Sequence, residues 1–180
     1  FTYLLNGVVY IHDMGYVHRD LKLENVMIDN ENNIKIIDFG LCDTLQNCKN
    51  NYSKVGSLPY IAPEMITGYG GGYECDVWSL GIILFELLFG YSPLKGENVY
   101  EETLSFPIKH KVSKEALHLI RMMLLYKKEK RYSLEQVQNH PWILNKSVSR
   151  LKLWKNSHVC EHLKQSTKSS IYLAIKMNYL

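Results

Sequence analysis

Apolar residues recur at helical spacing near the start of the chain and again at its centre. Within residues 2–14, one broad apolar face is formed by Leu4, Leu5, Val8, Val9 and Ile11. Gly15 follows as a helix-stop residue. Residues 77–89 are apolar on nearly every side, as expected of a helix buried among other helices. The pattern therefore predicts one amphipathic helix and one central helix.

Two more helices are predicted in the C-terminal half of the chain. Residues 112–126 form an amphipathic pattern with Ser113 as the N-cap. The inner face of this helix consists of Leu117, Ile120 and Leu124. Ser133 is the N-cap candidate of a further helix over residues 134–140.

Two short β-branched runs lie between the first helix and the central one. Residues 26–28 and 34–37 flank the turn sequence Asp29-Asn30-Glu31-Asn32-Asn33, and this arrangement predicts a β-hairpin. Residues 41–59 show no clear periodicity and are predicted to be a surface loop, as are residues 68–72. The expected architecture is therefore mainly α, with one small hairpin.

Composition places the chain among ordinary globular domains, because 46% of its residues are hydrophobic and 22% are charged. The longest apolar run, residues 80–89, is about half the length that spans a bilayer, and it contains Glu86. We therefore expect no membrane span, and no secretion signal is recognisable. The four cysteines lack CxxC spacing, which favours free thiols in the cytoplasm.

Charge is distributed unevenly along the chain, whose formal net charge is +3. Residues 146–180 contain seven Lys or Arg and one acid, so residues 1–145 hold 14 bases and 17 acids. A slightly acidic body argues against nucleic-acid binding. The body of the chain is therefore slightly acidic, and the tail, residues 145–180, is strongly basic.

Four motifs follow one another at characteristic spacing. In order they are His18-Arg19-Asp20-Leu21-Lys22-Leu23-Glu24-Asn25, Asp38-Phe39-Gly40, Ala62-Pro63-Glu64 and Asp76-Val77-Trp78-Ser79-Leu80-Gly81. The first matches H-R-D-L-x-x-x-N at every specified position, and the second is D-F-G. A lone D-F-G often arises by chance, whereas four such motifs in this order do not. Residues 1–144 therefore resemble the C-terminal lobe of a eukaryotic protein kinase.

This resemblance implies a role for each catalytic-loop residue. Asp20 would accept the proton of the substrate hydroxyl, and Lys22 would contact the transferred phosphate, as in serine/threonine kinases. Asn25 and Asp38 would hold Mg²⁺ through oxygen ligands. The residues expected to contact ATP are Lys22, Asn25, Met27 and Asp38. The implied activity is transfer of the ATP γ-phosphate to serine or threonine of proteins.

Other motif residues are expected to be structural. By resemblance, Glu64 would pair with Arg131 and brace the segment between the motifs. Asp76 would anchor the backbone of the catalytic loop. His18 and Phe39 would stack on one another in the core.

Three residues imply how a protein substrate would bind. Glu24 and Glu86 lie where relatives that prefer arginine before the target residue have acids, and a carboxylate matches a guanidinium fork. The alternative is that Glu86 is a buried helix acid with a local partner. Ser57 replaces the threonine of Gly-Thr-x-x-Tyr and keeps its hydroxyl. The expected partners are therefore proteins with basic residues near the target hydroxyl.

Regulation by phosphorylation is the next expectation. Arg19 precedes Asp20, and in relatives with this arginine a phosphate on the following loop often pairs with it. Ser53, three residues before Gly56, is at the matching position for such a phosphosite. Asp43 argues against this control because it lies where many relatives have a second cation. Both alternatives are open at this point.

The C-terminal part resembles the calcium/calmodulin-dependent kinase group, most of all the calcium-dependent protein kinases of plants and protists. The segments that carry this resemblance are 112–116, 119–124, 131–133 and 139–143. In those enzymes a basic autoinhibitory junction leads to EF-hands, and residues 171–177 resemble it loosely. An intramolecular regulatory domain is therefore one expectation, and a solvated basic tail is the other. The chain contains no EF-hand loop motif.

The resemblance also implies a second lobe. The parent fold is α+β and two-lobed, and its N-terminal lobe carries a glycine-rich loop, a lysine and a glutamate that have no counterpart here. We therefore expect the chain alone to be inactive. The alternatives are a non-catalytic, pseudokinase-like binding module or an incomplete gene product. Intact Asp20, Lys22, Asn25 and Asp38 favour an active parent.

Overall fold

The computed structural model describes residues 1–31, 33–50, 55–68, 70–94 and 112–145. Its helices are α1 (Thr2–Asp13), α2 (Leu45–Asn50), α3 (Pro63–Thr67), α4 (Tyr73–Phe89), α5 (Lys114–Met123), α6 (Leu134–Gln138) and α7 (Pro141–Leu144). Its strands are β1 (Tyr16–Val17), β2 (Val26–Ile28), β3 (Ile34–Ile36) and β4 (Asp43–Thr44). Single 3₁₀ turns cover Leu23–Asn25 and Lys128–Lys130. This mainly α architecture with small antiparallel strands confirms the predicted fold class.

Helix α4 forms the centre of the hydrophobic core. Five consecutive or near-consecutive side chains are almost completely buried, namely Leu80, Ile82, Ile83, Leu84 and Phe85. The helix begins four residues before the predicted start at residue 77. The prediction missed this first turn because Glu74 and Asp76 interrupt the apolar pattern, but acids are favourable in the first turn of a helix. It ends at Gly90, whose φ of 79° is left-handed and whose N–H donates to the Glu86 carbonyl at 2.8 Å.

Helices α4 and α5 cross closely because Gly81 has no side chain. A Cβ added at Gly81 would lie 2.8 Å from Leu124 Cδ2 and 3.0 Å from Met123 Cβ. The Ser113 hydroxyl caps α5 by accepting the Ala116 N–H at 3.3 Å, as the sequence predicted. The buried face of α5 consists of Ala116, Leu119, Ile120 and Met123, so the predicted Ile120 lies on it, whereas the predicted Leu117 is only half-buried.

The next helix is shorter than predicted, and a second short helix that was not predicted follows it. Ser133 caps α6 and exchanges a reciprocal pair of hydrogen bonds with Gln136, which forms a capping box. The predicted helix over residues 134–140 ends at Gln138, because Pro141 cannot continue it and instead starts α7. His140 caps α7 by accepting the Trp142 N–H at its Nδ1.

His140 gives this region a pH-dependent stability. Its Nε2 lies 3.0 Å from His118 Nδ1, and the rings stack with centroids 5.2 Å apart. Since Nδ1 accepts the Trp142 N–H, the neutral ring carries its proton on Nε2 and donates it to His118. Burial, and then the charge of His118, lower the pKa of His140 below 6.5, against an opposing effect of Glu115.

We expect His140 to stabilise the fold above pH 6.5 and to lose that contribution as pH falls through its lowered pKa, because the unfolded chain takes up the proton first. His140→Asn keeps a capping side chain and removes the titration. Urea unfolding at pH 7.5 and 5.5 should therefore show a smaller loss of stability at low pH in His140→Asn than in the wild type. Equal losses in both proteins would contradict this assignment.

The predicted hairpin is confirmed in position. Strands β2 and β3 pair antiparallel, with Val26 opposite Ile36 and Ile28 opposite Ile34. The Asp29 carboxylate holds the turn by accepting the Asn33 N–H at 2.9 Å. These hydrogen bonds from Asn33, opposed only weakly by desolvation, lower the pKa of Asp29 well below its ordinary value.

The prediction of a surface loop over residues 41–59 is wrong in its first part. Strand β4 pairs antiparallel with β1, with Val17 opposite Asp43, and α2 follows it directly. Cys48 on α2 is buried, with 1% of its surface exposed. This helix could not be predicted from the sequence, because six residues are too few for a helical period to be recognised. Residues 68–72 form a loop in their described part, as expected.

No helix in the described ranges is both long enough and apolar enough to cross a membrane. The three cysteines in those ranges, Cys42, Cys48 and Cys75, are free thiols. Burial raises the pKa of each of them, so all three are protonated at neutral pH.

Candidate active site

The catalytic loop, residues 18–25, is held in place at its start by hydrogen bonds to Asp76. This carboxylate is fully buried in the first turn of α4. It accepts the N–H of His18 at 2.8 Å and the N–H of Arg19 at 2.9 Å. It also accepts the His12 Nε2 proton at 2.8 Å. Burial alone would raise the pKa of Asp76, but His12 and the donated hydrogen bonds lower it, so the anchor is charged.

Asp20 lies at the centre of a hydrogen-bonded cluster, with 7% of its surface exposed. Its Oδ2 accepts from Lys22 Nζ and its Oδ1 from the Ser57 hydroxyl, both at 2.7 Å. Lys22 Nζ also donates to Ser57 Oγ at 2.7 Å. Asn25 Nδ2 donates to the Asp20 carbonyl at 2.8 Å and to its Oδ2 at 3.2 Å. The structure thus brings four of the predicted site residues into mutual contact.

Asp38 follows β3, and its side chain is exposed. The Ile37 N–H donates to the Asn25 carbonyl at 2.9 Å, which ties the end of β3 to the catalytic loop. Asp38 itself has a left-handed φ of 63°, and its Oδ1 accepts the Gly40 N–H at 3.2 Å. Such a backbone conformation is uncommon for residues other than glycine and is frequent at functional sites.

The donor set fits a hard cation. The amide nitrogen of Asn25 is directed at Asp20, which leaves its amide oxygen and the Asp38 carboxylate as oxygen ligands. In the described part of the chain, no group of three or more His, Cys, Asp or Glu side chains could hold a metal by itself. An ion bound here would therefore complete its coordination with oxygens of a nucleotide or of water.

His18 packs beneath the site as a neutral ring. Its imidazole is completely buried, and its centroid lies 5.0 Å from that of Phe39. Burial lowers the pKa of His18 despite the opposing charges of Asp76, Asp20 and Asp38. The expected contact between the first two motifs is therefore present.

Glu64 and Arg131 form the expected buried ion pair. The carboxylate and the guanidinium share two parallel hydrogen bonds, of 2.6 and 2.9 Å. Arg131 also donates to the backbone carbonyls of Glu74 at 2.7 Å and Leu125 at 3.1 Å. Its guanidinium lies 5.1 Å from the centre of the Trp78 ring. One side chain thus joins α3, α4 and the turn after α5.

One of the two predicted substrate-binding carboxylates, Glu86, is buried, and the charge of the other, Glu24, contributes to its electrostatic environment. Glu86 on α4 is 9% exposed, and its Oε2 accepts the Tyr60 hydroxyl at 2.6 Å. Burial, and then the charge of Glu24, raise the pKa of Glu86, and the hydrogen bond from Tyr60 opposes them. The pKa of Tyr60 is also raised, first by burial and then by Glu86. Glu86 therefore has a local partner in Tyr60, as the alternative interpretation expected. Its pKa is also affected by the charge of Glu24.

Of the remaining predictions, the one on Met27 lies within the described residues, and those on Ser53 and on the tail do not. Met27 is half-buried on β2, opposite Lys35. Ser53 and the tail after residue 145 lie outside the described residues. Sequence reasoning missed His12 and Tyr60, which complete the loop anchor and the acidic pair. Their partners are 64 and 26 residues away, so local spacing could not predict either contact, although Tyr60 is the tyrosine of the Gly-Thr-x-x-Tyr motif.

Comparison with known proteins agrees with this geometry. The family model described as "Protein kinase domain" matches residues 1–143. The chain belongs to the protein kinase family. Membership in this family implies the general use of ATP and Mg²⁺.

Similar curated proteins come from several kinds of kinase. The chain is 36% identical over 153 residues to the maternal embryonic leucine zipper kinase of Xenopus laevis, covering 81% of this chain and 24% of that protein. It is 38% identical over 153 residues to calcium-dependent protein kinase 4 of Plasmodium falciparum, covering 78% and 29%. It is 39% identical over 150 residues to the SNF1-related protein kinase catalytic subunit alpha KIN12 of Arabidopsis thaliana, covering 81% and 30%.

The chain thus spans about a quarter to a third of the length of these relatives. They are named as different kinases at nearly equal identity. Family membership is therefore plain, whereas the assignment to calcium-dependent protein kinases is not singled out.

Proposed function

We propose that the protein containing this chain is a serine/threonine kinase that transfers the ATP γ-phosphate to proteins. The observation that supports this most is the cluster of Asp20, Lys22, Asn25 and Ser57. Both oxygens of one carboxylate are held in fixed directions, 2.7 Å from an ammonium group and a hydroxyl. Such preorganisation is what phosphoryl transfer requires of a protein, because catalysis there depends on positioning and on neutralised charge.

In this mechanism Asp20 orients the substrate hydroxyl and accepts its proton. The carboxylate is anchored by Asn25, and the loop around it is fixed by Asp76, so Asp20 need not reorganise during the reaction. Lys22 places its positive charge where the transferred group is negative. Asn25 and Asp38 would hold Mg²⁺, which would supply positive charge next to the phosphates of ATP.

A preference for arginine in the substrate is the finer part of the proposal. Glu86 is nearly buried, one of its oxygens is bound by Tyr60, and Glu24 lies close enough to raise its pKa. Among the described residues no ion pair involves Glu24 or Glu86. A guanidinium group from a substrate would relieve the repulsion between the two carboxylates. Glu24 and Glu86 together support a preference for arginine in the substrate. If Glu86 served only to accept the Tyr60 hydroxyl, a second acid acting on it would not be needed.

Glu86→Gln should reduce the preference for arginine about tenfold or more, because a charge-assisted hydrogen bond becomes a neutral one. The measurement is kcat/KM for two serine peptides that differ only by arginine or alanine before the target. Glu115→Gln, on the exposed start of α5, is the matched control and should leave the ratio unchanged. If Glu86→Gln slows both peptides equally, Glu86 supports Tyr60 alone and the proposed substrate preference is wrong.

The competing function is a non-catalytic binding module. The intact cluster around Asp20 disfavours it, since binding alone does not require a carboxylate, an ammonium group and two oxygen ligands at one place. The deciding experiment is a phosphotransfer assay of the full-length protein with Mg-ATP and an arginine-containing serine peptide. A full-length protein that folds and binds ATP but transfers nothing would leave the binding module.

Three further expectations stay proposals. The loose resemblance of residues 171–177 to the autoinhibitory junction of calcium-dependent protein kinases supports an intramolecular regulatory role for the basic tail, residues 145–180. The cytoplasm is the proposed location, because the cysteine pattern favours a reducing compartment. We also propose that the chain requires a second lobe for activity.

A further inference from the structure

The side chain of Arg19 connects the catalytic loop to the segment that follows the D-F-G motif. Arg19 has a left-handed φ of 66°, and its own N–H is bound by Asp76. Its Nε donates to the Leu41 carbonyl at 2.6 Å, and its Nη2 lies 3.5 Å from Asp43 Oδ2. The side chain is only 8% exposed. A cation at this depth requires a counter-charge, and among the described residues Asp43 is the acid paired with it.

Asp43 is held in place for this contact. Its Oδ1 accepts the Thr44 N–H and the Asn47 amide, both at 2.8 Å, which leaves Oδ2 directed at Arg19. The hydrogen bonds from Asn47 and Thr44 lower the pKa of Asp43, and the charge of Arg19 adds to them. Asp43 is therefore ionised at neutral pH and serves the strand–helix junction and the arginine at the same time.

The segment that carries Asp43 is anchored to the body of the domain on its other side. Strand β4 pairs with β1, and the Leu45 N–H donates to the Gly15 carbonyl at 2.9 Å. Cys48 is buried against the core. The Arg19–Asp43 pair thus links the side chains of two ordered units, the catalytic loop and residues 43–48.

We propose that Asp43 is a positioning residue, which supplies the counter-charge of Arg19 from within the chain and thereby couples residues 43–48 to the catalytic loop. Asp43 does not touch the reacting atoms, and its effect on Asp20 passes through the adjacent Arg19. Because this arginine is already neutralised, a phosphoryl group on the following loop is not needed to order it. The catalytic consequence rests on the proposed kinase function, whereas the coupling itself does not.

The test compares Asp43→Asn, Asp43→Glu and a matched control, Asp13→Asn, in the full-length protein. Asp13 is an exposed acid at the end of α1. One readout is kcat and KM for Mg-ATP and a serine peptide. The other is the rate at which iodoacetamide labels Cys48 and Cys75, followed by peptide mass spectrometry. Both thiols are buried, but Cys75 belongs to the central helix α4, so it reports global opening and Cys48 reports local opening.

We expect Asp43→Asn to raise the labelling of Cys48 roughly fivefold or more while Cys75 is unchanged. The kcat should fall on the order of tenfold with little change in KM for ATP, because the base is displaced and the nucleotide site is not. Asp43→Glu should recover most of both effects, and Asp13→Asn should resemble the wild type. Ser53→Ala and phosphatase treatment should leave kcat unchanged.

Unchanged labelling of Cys48 in Asp43→Asn, or equal increases at both cysteines, would overturn the coupling. Loss of kcat in Ser53→Ala would overturn the statement that the arginine is neutralised from within. If the wild type transfers no phosphate at all, the proposed function fails, and the labelling ratio still decides whether Asp43 couples the two units.

Discussion

Asp20→Asn is expected to lower kcat by about three orders of magnitude, because general-base catalysis contributes about 10²–10⁴ in rate and the amide cannot accept the proton. The substitution conserves the shape of the side chain. Asn can still accept one of the two 2.7 Å hydrogen bonds that Lys22 and Ser57 now donate to Asp20. Lys22 is 21% exposed, so water can solvate its charge once the carboxylate is removed. The fold should therefore survive while the reaction is lost.

The measurement is single-turnover phosphotransfer by the full-length protein, with ATP binding and thermal unfolding recorded on the same sample. Asp13→Asn is again the matched control, since it removes a carboxylate that lies outside the cluster. ATP affinity and melting temperature should be nearly those of the wild type. Retention of most of the wild-type kcat by a folded Asp20→Asn protein would show that Asp20 is not the base.

The long helices were predictable because their signals are local. Apolar spacing defines α1 and α5, and the caps at Ser113 and Ser133 are within three residues of the backbone amides that they bind. The hairpin was predictable for the same reason, since Asp29 and Asn33 hold its turn together. In each case the residues that decide the structure are close in sequence.

Helix α2 could not be predicted from local signals of this kind. It is stabilised by the burial of Cys48 and by the bond from Leu45 to Gly15, which is 30 residues earlier in the chain. Neither interaction leaves a periodic pattern within six residues. An element that depends on tertiary contacts in this way is read as a loop in a single sequence.

The candidate site divides along the same line. Asp20, Lys22, Asn25 and Asp38 were recognisable because they belong to motifs with fixed spacing. The residues that support them are scattered, since His12 reaches Asp76, Tyr60 reaches Glu86 and Arg19 reaches Asp43 only in the folded chain. The motifs thus identified the residues that carry the chemistry. The charged and hydrogen-bonding groups around those residues could be identified only from the structure.

Arg131→Met is expected to destabilise the fold by about 3–5 kcal/mol, because it leaves the Glu64 carboxylate buried without its cation. Glu64 is 6% exposed, and the Arg131 side chain is completely buried. The same change removes donors to the carbonyls of Glu74 and Leu125, so three elements lose their common link. Urea or thermal unfolding measures the loss, which corresponds to roughly 10 °C or more in melting temperature.

The double variant Glu64→Gln, Arg131→Met separates the ion pair from the packing around it. If the buried charge is the main cost, the double variant is more stable than Arg131→Met, because the uncompensated carboxylate is gone. If the double variant loses the sum of the two single losses, the backbone hydrogen bonds of Arg131 matter more than its pairing with Glu64. Arg121→Gln, an exposed arginine on α5, should cost less than about 1 kcal/mol.

The loss of this ion pair should also reach the catalytic cluster. Glu64 lies in α3, and the segment before this helix carries Ser57 and Tyr60, whose hydroxyls bind Asp20 and Glu86. A displaced α3 therefore loosens a hydrogen bond to the proposed base and the support of the acidic pair together. Arg131→Met should consequently lower kcat and the preference for arginine in the same protein, at temperatures where it is still folded. A fully active Arg131→Met protein would show that the segment keeps its position without the pair.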